Sequence, residues 1–245
     1  MGEKIKFEYN LIKDAYVYAS LILFSAPFGL KNNKNLALIP RDVQKEVKRI
    51  YAINPISHSK LLTVSNHPIF KPIVDYLKSQ ISEVKVKEKK ERIVSKWKKV
   101  EQQYFSKLSK ILQKPIYQAD YKCYLTTLFR CPCYYEGGWF MVSAFSKLSN
   151  QIYVICHEFM HLQFIHWYRE YCLKKGLTNG EFQDLKEAVT FILNEPEFSG
   201  LISFKDKGYP LHKKLRKDSK IIWRKNKNFK IFLDRAIEII KSSRK

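Results

Sequence analysis

Residues 154–162 read VICHEFMHL, within a chain of 245 residues that contains only six histidines. His157 and His161 are four positions apart, and this spacing in a helix places both side chains on one face, one turn apart. Apart from the histidines and Glu158 the stretch carries no charge, as expected for a helix that is largely buried. It lies inside a longer predicted helix, from Gln151 to Lys175, which the glycine that follows would close.

Two imidazoles one turn apart can converge on one metal ion, and the pattern HExxH on a helix indicates a zinc site. Glu158 adjoins the first histidine, where its carboxylate can reach a water on the metal without ligating the metal. Zinc lowers the pKa of such a water to about 7, and Glu158 would take its proton during attack on a carbonyl. The same carboxylate could return the proton to the leaving amine. We therefore expect one Zn²⁺ per chain, bound by His157 and His161, with Glu158 as the catalytic residue.

With its uncharged flanks this stretch resembles the HExxH motif of the zincin superfamily of metallopeptidases. Gln163 departs from that motif, which prefers an apolar residue there. The resemblance covers about residues 121–195 and reaches no particular family. It implies an edge strand before the helix that pairs with an extended peptide substrate. Trp139–Phe145 has that place in the chain order, and an ordinary core strand is the other interpretation.

A catalytic zinc takes three protein ligands and keeps a fourth position open. Zincins with a third histidine place it six residues after the second, beyond a glycine. His166 follows His161 by only five residues, with no glycine between them, so we expect it to lie outside the site. In gluzincins the third ligand is a glutamate on a later helix, often followed by a small residue. Glu187, followed by Ala188, is therefore the predicted third ligand, and a surface glutamate is the alternative.

Three further residues are candidates for supporting roles. Asp184 lies three residues before Glu187 and could orient a ligand imidazole by a hydrogen bond. A site of this kind also needs a donor to a developing oxyanion, usually a tyrosine or a histidine. Tyr209 and His212 follow the ligand helix in a predicted loop and are the candidates. An equally good interpretation is that both are exposed loop residues without a role in the site.

Periodicity over the whole chain predicts an α+β fold that is mostly helical. A small antiparallel sheet would precede the HExxH helix and a second, ligand-bearing helix (zincin-like). We expect residues 1–115 to form a mainly helical N-terminal region and residues 116–245 the zincin-like catalytic region, joined in one compact unit. The predicted strands are Lys4–Tyr9, Tyr121–Phe129 and Trp139–Phe145. The predicted helices are Asp14–Phe24, Asp42–Ala52, Pro68–Gln80, Val84–Leu112, Gln151–Lys175, Gly180–Asn194 and two after Ile202.

The charge is strongly basic, with a formal net charge of +22. Of the 45 basic residues, 36 are lysine and only 9 are arginine. Arginine is the residue whose planar fork grips phosphates and bases, so solvated lysine-rich surfaces are favoured over a nucleic-acid site. Weak nucleic-acid binding through the lysine-rich surface is kept as an alternative, together with a membrane-surface role.

Two features bear on the cellular compartment. Five cysteines, an odd number without zinc-knuckle spacing, indicate reduced thiols in a cytoplasmic protein. The uncharged run Ala15–Leu30 is shorter than the roughly 20 residues that span a bilayer. It follows a strand-like stretch instead of a short basic start. We therefore expect a buried helix here and no transmembrane segment or signal peptide.

These observations predict a zinc metallopeptidase, a gluzincin-like hydrolase with a peptide or protein substrate. Two alternatives remain open. One is a basic nucleic-acid-associated protein with a structural or regulatory zinc site. The other is an inactive zincin scaffold that acts as an interaction module.

Overall fold

The computed structural model describes residues 4–24, 33–117 and 120–244. These residues are mostly helical and include one four-stranded mixed sheet, which confirms the α+β class. The chain forms two compact units. The first comprises residues up to Ser95 together with Asp120–Gln151, and the second comprises Lys96–Ala119 together with Ile152–Lys245. The division expected between residues 115 and 116 stays a prediction.

Along the described chain one strand comes first, seven helices follow it, then three strands, and four helices come last. The helices are α1 (Leu11–Leu23), α2 (Asn33–Leu36), α3 (Arg41–Ile53), α4 (His58–Leu61), α5 (Phe70–Gln80), α6 (Glu83–Lys98), α7 (Glu101–Leu112), α8 (Leu148–Lys174), α9 (Asn179–Val189), α10 (Lys213–Asn226) and α11 (Phe229–Ser242). The strands are β1 (Ile5–Tyr9), β2 (Tyr121–Thr126), β3 (Cys133–Tyr134) and β4 (Trp139–Ser143). Short 3₁₀ turns occupy Thr190–Asn194, Pro196–Phe198 and Pro210–His212.

The sheet of the first unit has the order β1-β2-β4-β3, and the antiparallel arrangement predicted for it is wrong. β1 pairs with β2 and β2 pairs with β4 in parallel, and only β3 runs antiparallel to β4. β3 and β4 form a hairpin, and the two-residue β3 was not among the predicted strands. β4 is buried along its whole length, and such continuous apolar strands are typical of parallel pairing.

Helix α1 is the buried helix of the first unit. Asn10 is the N-cap, and its side chain accepts a hydrogen bond from the Lys13 N–H; the residues from Asp14 to Ile22 are buried. The rest of the uncharged run, residues 25–30, lies outside the described residues. Asp14 accepts hydrogen bonds from the hydroxyls of Thr126 and Thr127, at 2.8 and 2.9 Å, and so joins α1 to the end of β2. Among the helices that the structure describes, none has the length and apolar character needed to cross a membrane.

The single helix predicted over Val84–Leu112 is two helices, α6 and α7, which are separated at residues 99–100. The sequence carries neither glycine nor proline there, so local propensity gives no sign of the break.

An aromatic core holds the helices of the second unit around the HExxH segment. Phe164 of α8 stacks on Phe182 of α9, with ring centroids 5.6 Å apart, and also contacts Phe229 of α11. Helix α9 starts in a capping box formed by Thr178 and Glu181. These contacts fix α9 against the face of α8 that carries the histidines.

Candidate metal centre

Two helices of the second unit bring the three predicted ligands together. His157 and His161 come from α8 and Glu187 from the last turn of α9, and their ligand atoms all lie within 4.8 Å of one another. Glu187 Oε2 is 3.3 Å from His161 Nε2 and 3.7 Å from His157 Nε2. The i, i+4 spacing thus places the imidazoles on one face, as expected, and α9 supplies the carboxylate from the opposite side.

The donor set fits a metal ion. His161 is 2% exposed, and neither of its ring nitrogens makes a hydrogen bond within the part of the chain that the structure describes. Buried polar atoms are normally hydrogen-bonded, so an imidazole in this state is costly unless something else coordinates it. Two imidazole nitrogens and one carboxylate oxygen are ligands that zinc takes in proteins. A zinc ion would therefore satisfy the buried nitrogen that faces Glu187.

The protonation states of two of these residues also suit metal binding. Burial lowers the pKa of His161 to about 3, so its imidazole is neutral at neutral pH. Burial alone would raise the pKa of Glu187, but His161, His157 and Lys186 together hold it well below the usual range. Neutral imidazole and ionised carboxylate are the forms that bind metals.

His157 differs from His161 because it faces more negative charge. Burial opposes its charged form, but the nearby carboxylate of Glu187 and the charges of Glu158 and Asp206 raise its pKa overall. The pKa of His157 is therefore shifted in the opposite direction from that of His161.

Lys186 is a member of the site that the sequence did not reveal. Its Nζ lies 2.7 Å from Glu187 Oε1, and the two side chains are only 12% and 7% exposed. One carboxylate oxygen thus contacts the lysine, while the other faces the histidines. Residues adjacent on a helix point in different directions, so a lysine beside a ligand reads as solvent-facing from the sequence alone.

Two residues that the sequence analysis did not predict lie near Nδ1 of His157. The Tyr153 hydroxyl is 3.1 Å from Nδ1, and Asp206 Oδ2 is 3.9 Å from the same nitrogen. Burial, followed by the charge of Asp206, raises the pKa of the Tyr153 phenol. Tyr153 precedes His157 by four residues, so helical spacing was a usable signal. Asp206 lies in a loop, where no periodicity points to it.

Arg216 links the loop of Asp206 to the end of α9. Its guanidinium is 3.2 Å from Asp206 Oδ2, and it donates to the Glu187 carbonyl at 3.1 Å and to Thr190 Oγ1 at 2.7 Å. Gly208 has a φ of +64°, and a Cβ atom there would lie 2.4 Å from Arg216 Nε. Only a residue without a side chain allows the loop to approach the guanidinium so closely.

Glu158 is buried beside this group without belonging to it. Its side chain is 9% exposed, and its charge contributes to the raised pKa values of His157 and Tyr153. The carboxylate therefore lies within electrostatic reach of the first histidine, and its role as a general base stays a prediction.

The structure places the three predicted supporting residues, Asp184, Tyr209 and His212, close to one another. Asp184 Oδ1 is 2.9 Å from His212 Nε2, so two of the candidates pair with each other. Within the described chain Asp184 makes no hydrogen bond to His157 or His161. Tyr209 packs edge-on against His212, with ring centroids 5.9 Å apart. The oxyanion role of Tyr209 and His212 stays a prediction.

No protein-family model, no curated protein and no solved structure matches this chain. The geometry by itself defines a class of site, a buried group of two histidines and one carboxylate that can hold a metal ion. This geometry does not by itself define a particular activity.

Proposed function

We propose that this protein is a zinc-dependent metallohydrolase of the gluzincin type, a peptidase that cleaves peptide bonds. One observation carries the proposal. Two histidines and a glutamate from different helices converge to within 4.8 Å, with Glu158 next to the first histidine. This combination of ligands and a neighbouring carboxylate is the one that HExxH hydrolysis requires.

His157, His161 and Glu187 would hold the metal through the atoms that face one another. A zinc ion bound there would supply Lewis-acid polarisation of a carbonyl and acidify a water molecule. Glu158 would accept a proton during attack on the amide and return it to the leaving nitrogen. Its burial keeps the proton away from bulk solvent during this exchange.

The number of donors favours a catalytic site over a structural one. Structural zinc sites are closed by four protein ligands, whereas catalytic sites have three and an open position. The group found among the described residues has three members. Lys186 contacts Glu187 Oε1, which favours coordination through Oε2 alone and leaves room for a substrate.

The first experiment measures bound metal by mass spectrometry in protein purified without added zinc. Wild type, His161→Ala and Glu187→Ala are compared with His166→Ala as the matched control. His166 lies on the same helix but stacks on Tyr117, with ring centroids 3.5 Å apart. We expect about one zinc in wild type and in the control, none in His161→Ala and less in Glu187→Ala. A wild type that carries no zinc and takes none up would refute the proposal.

A second experiment separates catalysis from metal binding. Wild type and Glu158→Gln are incubated with a peptide library, and new termini are detected by mass spectrometry. Glu158→Gln should keep its zinc and lose cleavage by about 100-fold or more, as expected when a general base is removed. Equal cleavage by both proteins would contradict the role of Glu158. Zinc binding without cleavage, together with DNA binding that weakens steeply with salt, would favour the nucleic-acid alternative.

A further inference from the structure

We propose that Tyr153 is a positioning residue that holds His157 in the orientation and tautomer needed for metal binding, with Asp206 and Arg216 as its anchor. The inference rests on the proposed metal centre. It assigns roles to residues that do not ligate the metal themselves. It concerns the side of His157 that faces away from Glu187.

The tautomer follows from which ring nitrogen faces the other ligands. Nε2 of His157 is the nitrogen directed at Glu187 Oε2, at 3.7 Å, so a metal would bind through Nε2. The proton of the neutral ring must then be on Nδ1. The atom nearest to Nδ1 on this side is the Tyr153 oxygen, at 3.1 Å. Nδ1–H can therefore donate to Tyr153, and this bond fixes both the tautomer and the tilt of the ring.

The Asp206 carboxylate supplies a negative charge on the Nδ1 side of His157, where Tyr153 also lies. At 3.9 Å from Nδ1 the carboxylate is too far for a hydrogen bond to His157, so the tyrosine is the direct contact. The negative charge of Asp206 also acts on the Tyr153 hydroxyl. A hydroxyl whose proton is turned toward this carboxylate would present its lone pairs to the Nδ1 proton.

Asp206 is itself held rigidly. Its side chain accepts from the Gly208 N–H at 2.8 Å, and the Asn194 amide bonds both its backbone N–H and its carbonyl, each at 2.8 Å. Arg216 supplies the balancing charge at 3.2 Å from Oδ2. An acceptor fixed in this way can hold Tyr153, whereas a mobile one could not.

Arg216 connects Asp206 to the end of the helix that carries Glu187. The guanidinium that balances Asp206 also donates to the backbone carbonyl of Glu187. The anchor of His157 and the helix end that carries Glu187 are therefore set by one buried side chain. Supporting groups of this kind typically change metal affinity by about 10- to 100-fold when they are removed.

The test measures the Zn²⁺ dissociation constant of the full-length protein by competition with a fluorescent chelator. Tyr153→Phe and Asp206→Asn are compared with wild type and with Tyr168→Phe. Tyr168 is the matched control because it is a buried tyrosine of the same helix, and its hydroxyl donates to the Leu112 carbonyl. We expect about 10-fold weaker zinc binding in both test variants and a change below about 2-fold in the control.

A spectroscopic readout distinguishes positioning from a general loss of stability. In the zinc-loaded wild type, proton–nitrogen correlation spectra should show a slowly exchanging proton on His157 Nδ1. Tyr153→Phe should lose that protection, while Tyr168→Phe should keep it. Thermal melts in chelator measure how much each variant destabilises the metal-free chain. Comparable melts of the two phenylalanine variants, with weaker zinc binding only in Tyr153→Phe, would support positioning.

Two outcomes overturn the inference, and they differ. If wild type binds zinc and both test variants bind it equally tightly, the positioning role is wrong while the metal centre stands. If wild type takes up no zinc, the metal centre is wrong and this inference falls with it.

Discussion

The contact between Lys186 and Glu187 leads to a prediction about the protein without metal. The two charged groups are 2.7 Å apart, and their side chains are 12% and 7% exposed. Removing one partner of a fully buried pair costs about 3–5 kcal/mol, because the remaining charge loses its partner. In Lys186→Met the carboxylate still faces His157 and His161, which offset part of this cost. We therefore expect a loss of about 2 kcal/mol in the free energy of unfolding when zinc is absent.

Zinc should reduce this loss, because a bound cation would balance the Glu187 charge that Lys186 otherwise balances. If the cost falls to about 1 kcal/mol with zinc bound, thermodynamic linkage requires Lys186→Met to bind zinc about 5-fold more tightly than wild type. The direction of this change in zinc affinity is more informative than its size. Tighter binding means that Lys186 competes with the metal for the carboxylate.

Urea unfolding in chelator and in saturating zinc measures both costs, and chelator competition measures the zinc affinity. Lys186→Arg keeps the charge and should lie closer to wild type in both assays. Lys174→Met is the exposed control, because the Lys174–Glu170 pair has side chains that are 79% and 87% exposed and should contribute less than about 1 kcal/mol. Weaker zinc binding in Lys186→Met would refute the reasoning and would show that the lysine orients the carboxylate instead.

Two further predictions concern the scaffold. Gly208→Ala should lower the melting temperature more than Gly200→Ala; both glycines have a positive φ, but only a Cβ at Gly208 would collide with Arg216. Equal losses would mean that the guanidinium can move aside. Arg244, and then a backbone N–H, lower the pKa of Glu181 to about 2 from its ordinary 4.5, so its stabilisation is present above pH 4.5 and is lost as the pH falls toward 2. Glu181→Gln should lose about 1 kcal/mol at pH 7 and flatten that part of an acid-unfolding profile; an unchanged slope would refute the assignment.

Helical periodicity made the positions of the two histidines predictable. The helix expected over Gln151–Lys175 is observed as α8, Leu148–Lys174, and the helix expected from Gly180 begins at Asn179. Within one helix the spacing of two residues fixes their angular relation, so the facing of His157 and His161 follows directly from their numbers. The position of Glu187 came from resemblance, and the structure places it beside them.

Contacts made by loops and long-range pairing could not be predicted in the same way. The parallel pairing of β1 with β2 joins segments more than a hundred residues apart, and no local pattern specifies it. Asp206 reaches His157 from an irregular loop, whose course depends on Arg216 and Gly208. The pairing of Asp184 with His212 likewise depends on the path of this loop. Side chains that sit in loops are placed by tertiary contacts, so spacing along the sequence gives no guide to their partners.

The charges around the candidate centre indicate that the fold holds the site ready before any metal binds. Glu187 is kept ionised although burial opposes its charge, and this is possible only because His161, His157 and Lys186 lie close to it. These three side chains therefore have a cost of their own, since each must be desolvated to reach the carboxylate. A protein that needed only a stable core would be as stable with apolar residues at these positions. Retaining a buried carboxylate between two imidazoles and a lysine is thus better explained by binding than by stability. The Lys186 and Tyr153 substitutions test this explanation from opposite sides, because one should strengthen zinc binding and the other should weaken it.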